Sequence, residues 1–245
     1  MIAAIRNLIL NLTPTGISNF FYYNHKEYKK RNGGNVSFSQ EGEDMVLRRI
    51  FDGKDKGFYV DLGAHHPIWF SNTNYFHQRG WTGINVDALP GSKLIFDAER
   101  PFDINLELLV SEKEGPTEFY LFEPSLMNTM SRQQASENEK FDWCKLKEIV
   151  LIHSLPLNKL LDKYLPANVT INFMSIDVEG AEMTVLRSNN WEKYAPEVLL
   201  VEIIDVDINL LFNSEVHQFL TNKKYNFFAK TGNTIFYKKK GFFDF

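Results

Sequence analysis

The chain has 245 residues, of which 44% are apolar and 14% aromatic, with 27 Lys and Arg against 31 Asp and Glu. This composition is typical of a globular protein and excludes intrinsic disorder for most of the chain. The formal charge of −4 provides no basic excess to neutralise phosphates, which disfavours a nucleic-acid binder. The length favours one α/β domain with an appendage.

The single cysteine, Cys144, allows neither an intrachain disulfide nor a zinc site built from cysteine pairs. The apolar start of the chain is interrupted by Arg6, Asn7 and Asn11, so it falls short of the ~20 apolar residues that span a bilayer. It also does not follow the pattern of a secretory signal peptide. We therefore expect a cytoplasmic protein without a transmembrane segment.

Residues 1–35 predict a helical N-terminal extension that ends in a loop-forming run of Asn and Gly. We expect this arm to pack on the core or on a partner, such as a second copy of the chain in a homo-oligomer. The basic residues at 26 and 29–31 leave a membrane-surface anchor as the alternative. Residues 36–245 form the expected main domain.

From Ser39 onward, patterns typical of helices and strands alternate, and Ser39 itself is placed to cap the first helix. The predicted strands are 57–63, 83–87, 104–110, 169–177, 197–203, 225–229 and 234–237. Between them, one helix is predicted to begin near residue 72, and three others are predicted over 93–98, 181–187 and 215–221. This order predicts an α/β fold with a mostly parallel sheet whose last strand is antiparallel. Residues 115–154 predict a polar, partly helical insert. Five aromatic residues are assigned to the core: Trp69, Phe70, Tyr75, Phe76 and Trp81.

Ligands of an open parallel sheet bind beyond the carboxyl ends of the strands. The first predicted strand ends at Asp61 and Gly63, with one glycine where a dinucleotide-binding fingerprint needs three. The second ends at Asp87, whose carboxylate can accept both hydroxyls of a ribose. Together these residues predict a site for a nucleoside without phosphates, a description that S-adenosylmethionine matches.

Acidic residues also follow the fourth and fifth predicted strands. Asp177 and Glu202 end strands expected to be neighbours, about 4.8 Å apart. The pair could hold a hard divalent cation such as Mg²⁺ or Mn²⁺, or Asp177 could accept a proton during catalysis. Glu179 and Glu182 lie at a helix start, where the helix dipole explains acidic residues about as well as catalysis does.

Two adjacent histidines, His65 and His66, lie in the loop after the first predicted strand. A proton acceptor in this loop could face the bound cofactor. The alternative is that one of the two rings bonds to the loop backbone and shapes the loop.

Five segments of the chain, in order over residues 36–240, resemble the FkbM-type methyltransferases. They are 38–44 (FSQEGED), 60–67 (VDLGAHHP), 71–73 (SNT), 80–88 (GWTGINVDA) and 176–182 (IDVEGAE). The resemblance implies a class I Rossmann-like fold, S-adenosylmethionine as methyl donor, and a hydroxyl acceptor on a sugar or a natural product. The implied cofactor residues are Gln40, Asp61, Gly63, Ala64, Ser71, Asn72, Thr73, Asp87 and Ala88, with Asp87 on the ribose and 71–73 on the cofactor or the acceptor. Asp177, Glu179 and Glu182 match the family's acidic motif.

The sequence therefore predicts an O-methyltransferase that acts on a sugar hydroxyl, in a surface polysaccharide such as a capsule or in a nucleotide-linked precursor. Asp177 orients or deprotonates the acceptor, helped by His65 or His66, with Glu179 as a further candidate catalytic residue. The alternatives are an O-methyltransferase of another natural product and a non-catalytic binding protein in polysaccharide assembly. A nicotinamide-dependent reductase is disfavoured by the missing glycines.

Overall fold

The structure, a computed structural model, describes residues 35–204 and 207–242. The expected helical extension over residues 1–35 falls almost wholly outside this part of the chain and stays a prediction, as does the domain boundary at 35/36. The elements described below lie in one compact unit that begins at Phe38. Within the described ranges, no helix combines the length and the apolar character needed to cross a membrane.

The strands of the described chain form two sheets. In chain order they are β1 (Phe58–Leu62), β2 (Thr82–Asp87), β3 (Ile104–Glu107), β4 (Leu109–Val110), β5 (Gly115–Glu123), β6 (Lys145–Leu155), β7 (Phe173–Ile176), β8 (Val198–Glu202), β9 (Tyr225–Lys230) and β10 (Thr234–Lys239). The main sheet has the order β3-β2-β1-β7-β8-β10-β9, and β10 runs antiparallel to both of its neighbours. The predicted Rossmann-like sheet, mostly parallel with an antiparallel last strand, is confirmed.

Helices connect the strands. The described α-helices are α1 (Glu43–Ile50), α2 (Asn74–His77), α3 (Ser92–Glu99), α4 (Arg132–Asn138), α5 (Leu157–Tyr164), α6 (Glu182–Arg187), α7 (Ile208–Leu211) and α8 (Glu215–Asn222). Helix α1 begins later than predicted, and its N-cap residue is Gly42, at φ +88°, rather than Ser39. The Ser39 hydroxyl nevertheless accepts a hydrogen bond from the Asp44 N–H at 3.1 Å, so it satisfies a free donor of the first turn.

Apolar clusters cover both faces of the main sheet. Along β1, Val60 and Leu62 pack into one cluster while Tyr59 packs into the other, as the period of two in a strand requires. Asp61 lies on the same face of the sheet as Tyr59, and its carboxylate is buried there. A charge-bearing group at such a position is costly unless it has partners or a ligand.

The predicted strand over 104–110 is two strands. β3 pairs with β2 in the main sheet, whereas β4 pairs with β6 in the second sheet. Between them, the Leu108 N–H donates to the carbonyl oxygen of Asp87, and the chain leaves the main sheet there. The sequence pattern does not reveal such a change of partner, because only one residue, Leu108, separates the two strands.

The predicted polar insert over 115–154 is mainly a hairpin. β5 and β6 pair antiparallel along their lengths, with a short 3₁₀ helix (Ser125–Met127) and α4 between them. The sequence pattern concealed β6 because most of its residues are exposed or only partly buried. The inward side chains of this sheet, such as Phe119, pack on Ala88 and Leu109 and cover the carboxyl edge of β2.

The aromatic residues assigned to the core fall into two groups. Phe76 and Trp81 are buried as predicted, and Tyr75 is partly buried. The assignment was wrong for Trp69 and Phe70, which are 44% and 46% exposed. Both lie in the loop beyond the carboxyl end of β1, at the edge of the sheet rather than on one of its faces.

Candidate functional site

A cleft opens at the carboxyl ends of β1, β2 and β7. It encloses about 720 Å³ of empty space, open solvent at its mouth included. Its apolar walls come from Leu62, Val86, Ala88, Leu89, Leu108, Leu109, Val110, Phe119, Leu126, Met130 and Val178. The carboxylates that line it belong to Asp87, Asp177 and Glu179. Such a cleft suits a ligand in which a flat heterocycle, packed between the apolar walls, is joined to a group whose hydroxyls donate to the carboxylates.

Asp87 ends β2 at this cleft. Its Oδ1 accepts a hydrogen bond from the Leu89 N–H at 2.7 Å, and its Oδ2 accepts one from the His65 N–H at 2.8 Å. Burial raises the pKa of Asp87, and the two backbone donors oppose that rise. The bonds fix the carboxylate while each oxygen keeps capacity for a further donor. This arrangement fits the ribose contact predicted from the sequence.

Gly63 allows β1 and β7 to come close at the same edge. Its φ is +80°, and the N–H groups of Gly63 and Ala64 both donate to the carbonyl oxygen of Val86, at 2.9 and 3.1 Å. A Cβ atom at position 63 would overlap the carbonyl oxygen of Asp177. Both the conformation and the close approach therefore require glycine.

A smaller, more polar pocket adjoins the cleft and encloses about 330 Å³, open solvent included. Among the residues predicted to bind the cofactor, Gln40, Asp61, Ala64 and Asn72 line this pocket. Four residues line both cavities: Gly63, His65, Leu126 and Asp177. A ligand with an apolar head in the cleft and a polar tail in the pocket would therefore pass beside Asp177.

Asp61 is buried beneath the small pocket. Burial raises its pKa to about 6, and the positive charge of Arg100 opposes the rise. The Thr73 hydroxyl donates to Asp61 Oδ2 at 3.0 Å, and the Ser175 hydroxyl also hydrogen-bonds to this carboxylate. Asn72 Nδ2 in turn donates to Ser175 Oγ at 3.0 Å. A carboxylate held in this way can accept a bond from the ammonium group of an amino-acid tail.

The sequence analysis missed Arg100, which follows α3 and is only 1% exposed. Its Nη1 donates to Thr73 Oγ1 at 2.7 Å and to Asn85 Oδ1 at 3.2 Å. Its Nη2 donates to Ser71 Oγ at 3.0 Å and to the carbonyl oxygen of Pro67. An arginine just after a helix is usually a solvated residue, so no local pattern indicated this role.

The hydrogen bonds of Arg100 account for the positions of residues 71–73. Ser71 and Thr73 are buried in its hydrogen-bond network and line neither cavity, whereas Asn72 lines the small pocket. Ser71 Oγ also accepts from the Asn74 N–H at the start of α2. The structure thus places Ser71 and Thr73 behind Asp61, where they orient it, rather than at the cavity surface.

The two histidines occupy different places. His65 lines both cavities, and burial lowers its pKa. His66 lines neither; its Nδ1 accepts from the N–H groups of Ile68 and Trp69, at 3.0 and 3.2 Å. Burial lowers the pKa of His66 to about 4, so its ring is neutral near neutral pH. His66 therefore shapes the loop, which was the alternative considered for one of these residues.

Carboxylates crowd the edge of β7 and β8. Asp177, Glu179 and Glu202 each place an oxygen within 4.8 Å of the others. Burial raises the pKa of Asp177, and the nearby charge of Glu202 raises it further. Burial likewise raises the pKa of Glu179 to about 8 and that of Glu202 to about 7. Asp177 and Glu202 hydrogen-bond to each other, which requires that one of the two carboxyl groups carries a proton.

Glu182 serves the local backbone. Its Oε1 accepts from the Gly180 N–H at 3.0 Å and from the Val178 N–H at 3.4 Å. Its position at the start of α6 agrees with the helix-dipole explanation given by the sequence. Glu182 therefore holds the loop that carries Glu179.

These raised pKa values predict that stability falls as pH rises. The folded protein keeps protons on Glu179 and Glu202 that the unfolded chain has already released, so unfolding becomes easier from about pH 5 to about pH 8. Glu179→Gln removes one of these titrations. We expect its Tm to exceed that of the wild type by roughly 3 °C or more at about pH 8 and to differ little at about pH 5.

Thermal melts over a pH series, without ligand, test this expectation. Glu192→Gln, which removes the same charge at an exposed position, should follow the wild-type curve. If Tm changed with pH equally in Glu179→Gln and the wild type, Glu179 would have the same pKa in the folded protein as in the unfolded chain.

The comparisons with known proteins agree with this geometry. The sequence profile of the methyltransferase FkbM domain matches residues 61–227. The chain belongs to the FkbM methyltransferase family. Among curated proteins, none matches the chain. The family match runs from the end of β1 through the cleft and the acidic edge, and it implies S-adenosylmethionine as the methyl donor of this methyltransferase.

The cavities of this FkbM methyltransferase fit such a donor. The apolar cleft with Asp87 suits adenosine, and the polar pocket with Asp61, Asn72 and Gln40 suits a methionine tail. Sequence reasoning missed the wall that the insert contributes, from Phe119, Leu126 and Met130. The apolar run 119–122 in β5 was the available signal for Phe119, whereas Leu126 lies in a 3₁₀ helix of three residues, which is too short to show a periodic pattern.

Proposed function

We propose that this methyltransferase transfers a methyl group to a hydroxyl of a sugar, in a surface polysaccharide or a nucleotide-linked precursor. The observation that carries the proposal is the position of Asp177, which lines both cavities at their junction beside Glu179. A hydroxyl is a poor nucleophile, so its methylation needs a proton acceptor or a cation where the methyl group is presented.

The bound donor would supply an electrophilic methyl on a positively charged sulfur. Asp87 would accept bonds from ribose hydroxyls, and Asp61 would accept a bond from the ammonium group, so the chain fixes both ends of the donor. These contacts would hold the reacting carbon in a fixed position for the acceptor, and such positioning is a large part of the rate enhancement for a two-substrate reaction. Ala88 and Leu108 exclude water from the heterocycle.

Asp177 would take the acceptor proton. In the free protein it shares a proton with Glu202, and a positive charge arriving at the junction favours its ionised form. As the new oxygen–carbon bond forms and the sulfur–carbon bond breaks, the hydroxyl proton passes to Asp177. His65, which lines the same junction and titrates below its usual range, is a second group that could orient the hydroxyl.

The second candidate mechanism is one in which a bound cation activates the acceptor hydroxyl. The cluster of Asp177, Glu179 and Glu202 offers hard oxygen donors, which suit Mg²⁺ or Mn²⁺. A cation held there would lower the pKa of the acceptor hydroxyl.

Chelation separates the two candidates. If Asp177 is the proton acceptor, turnover should be unchanged after dialysis against EDTA, measured as S-adenosylhomocysteine formed. Loss of turnover that Mg²⁺ or Mn²⁺ restores would replace the proton-acceptor mechanism with the cation-assisted one.

The acceptor class is tested by assaying free, nucleotide-linked and polymeric sugars with S-adenosylmethionine and identifying the product by mass spectrometry. A methylated sugar hydroxyl is the expected product. Turnover only with a non-sugar natural product would favour that alternative acceptor. Donor binding without any turnover would favour a binding protein in polysaccharide assembly.

A further inference from the structure

The loop from His65 to Phe70 presents four rings in two pairs beside the donor cavities. His66 stacks on Trp69 with ring centroids 4.3 Å apart and planes 11° apart. His65 faces Phe70 with centroids 6.4 Å apart. Both Trp69 and Phe70 are nearly half exposed, and Phe70 lines the small pocket. Phe70 is therefore an apolar ring at the mouth of a polar pocket, which is a typical feature of a ligand subsite, and Trp69, which lines neither cavity, precedes it in the chain.

Two residues of the loop have an unfavourable backbone conformation. His65 and Phe70, at its two ends, have φ of +51° and +53°, a region that non-glycine residues seldom occupy. Within the loop, His66 Nδ1 accepts a hydrogen bond from the Ile68 N–H, and from outside the loop Arg100 donates to the Pro67 carbonyl. Beyond it, the Ser71 N–H donates to the carbonyl of Phe38 at 3.0 Å. Strain that the surroundings maintain at a cavity is a sign of a functional constraint.

The charge around the junction restricts what these rings can hold. Asp177 and Glu179 are acceptors, and the described residues that line the two cavities include no Lys or Arg. An anionic group placed there would lose its hydration without gaining a basic side chain as a partner from the described lining residues, which is unfavourable. A neutral ligand with several hydroxyl donors would satisfy these acceptors instead.

We propose that Phe70 and Trp69 form the acceptor subsite, which binds the apolar face of a neutral sugar ring and excludes acidic sugars. This inference rests on the proposed function and deepens it. One face of a pyranose carries C–H groups that pack on an aromatic ring, while its edge carries hydroxyls that reach Asp177 and Glu179. A carboxylate at the sugar's C6 would find no Lys or Arg to pair with among the described residues that line the cavities.

The test uses matched pairs of methyl glycosides: glucoside and glucuronide, galactoside and galacturonide, mannoside and mannuronide. Steady-state methylation is measured for the wild type, Trp69→Ala, Phe70→Ala and the control Phe102→Ala, which removes an 85% exposed ring that lines neither cavity. Calorimetry with S-adenosylhomocysteine and thermal melts show whether each variant folds and binds the donor product. The indole N–H signal of Trp69, identified by its loss in Trp69→Ala, reports sugar binding by NMR in the S-adenosylhomocysteine complex.

We expect methylation of neutral glycosides, an acceptor KM raised about tenfold in both loop variants and unchanged in Phe102→Ala, and little turnover of uronides. If neutral glycosides are methylated with unchanged KM in both loop variants, or uronides serve equally well, the subsite is wrong and the proposed function stands. If no sugar is methylated but neutral glycosides alone shift the Trp69 signal, the subsite stands and the proposed function fails. No turnover and no shift would overturn both.

Discussion

Asp177→Asn should lower the rate of methyl transfer by about 100-fold or more while leaving the affinity for S-adenosylhomocysteine within about threefold of the wild type. The amide keeps the size of the side chain at the junction of the two cavities but cannot take the acceptor proton. The fold should survive, because the carboxyl group is buried among other acids and its ionisation is unfavourable there.

The measurement combines single-turnover rates at saturating donor with calorimetry on the same preparation. Asp55→Asn is the matched control, since it makes the same chemical change at an exposed position. Turnover close to that of the wild type in Asp177→Asn would remove Asp177 from the chemistry. If the folded variant lost donor affinity in parallel with its rate, Asp177 would have to be a residue that binds the donor.

Gly63→Ala should abolish donor binding and destabilise the protein by roughly 3 kcal/mol or more, since it combines overpacking with a strained backbone. The new Cβ would overlap the carbonyl oxygen of Asp177, which is backbone and cannot rotate away. The ends of β1 and β7 would have to separate, and this would move Asp177 relative to Asp61.

Gly80→Ala isolates the conformational part of this effect. Gly80 has a similar φ of +83°, but a Cβ atom there would have nothing within 4 Å. We expect it to cost only about 1 kcal/mol of unfolding free energy and to bind S-adenosylhomocysteine normally. Chemical denaturation and calorimetry on both variants give the comparison. Equal destabilisation of the two would show that strain alone, rather than the close approach of the strands, requires Gly63.

Much of the site could be predicted because acids that end parallel strands meet at one edge of a sheet. Asp87 and Glu202 are the last residues of β2 and β8, Asp177 directly follows β7, and the strand order brings Asp177 and Glu202 together. Gly63 was predictable for a similar reason, since a lone glycine after a buried strand indicates a turn or a close approach. The mostly parallel arrangement of the sheet followed from the alternation of helical and strand patterns.

The parts that could not be predicted depend on distant contacts. Arg100 is 27 residues from Thr73 and 29 from Ser71 in the chain, so no local pattern connects them. The exposure of Trp69 and Phe70 was missed because aromatic residues are usually buried, and sequence does not show that the loop bends outward at φ +53°. β6 was missed because few of its side chains are buried.

The most direct test of this account is a crystal structure of the protein with S-adenosylhomocysteine. We predict the ribose hydroxyls on Asp87, the amino-acid tail in the pocket lined by Asp61 and Asn72, and the sulfur facing Asp177. A ligand whose ribose lies away from Asp87, or whose sulfur points away from Asp177, would contradict it.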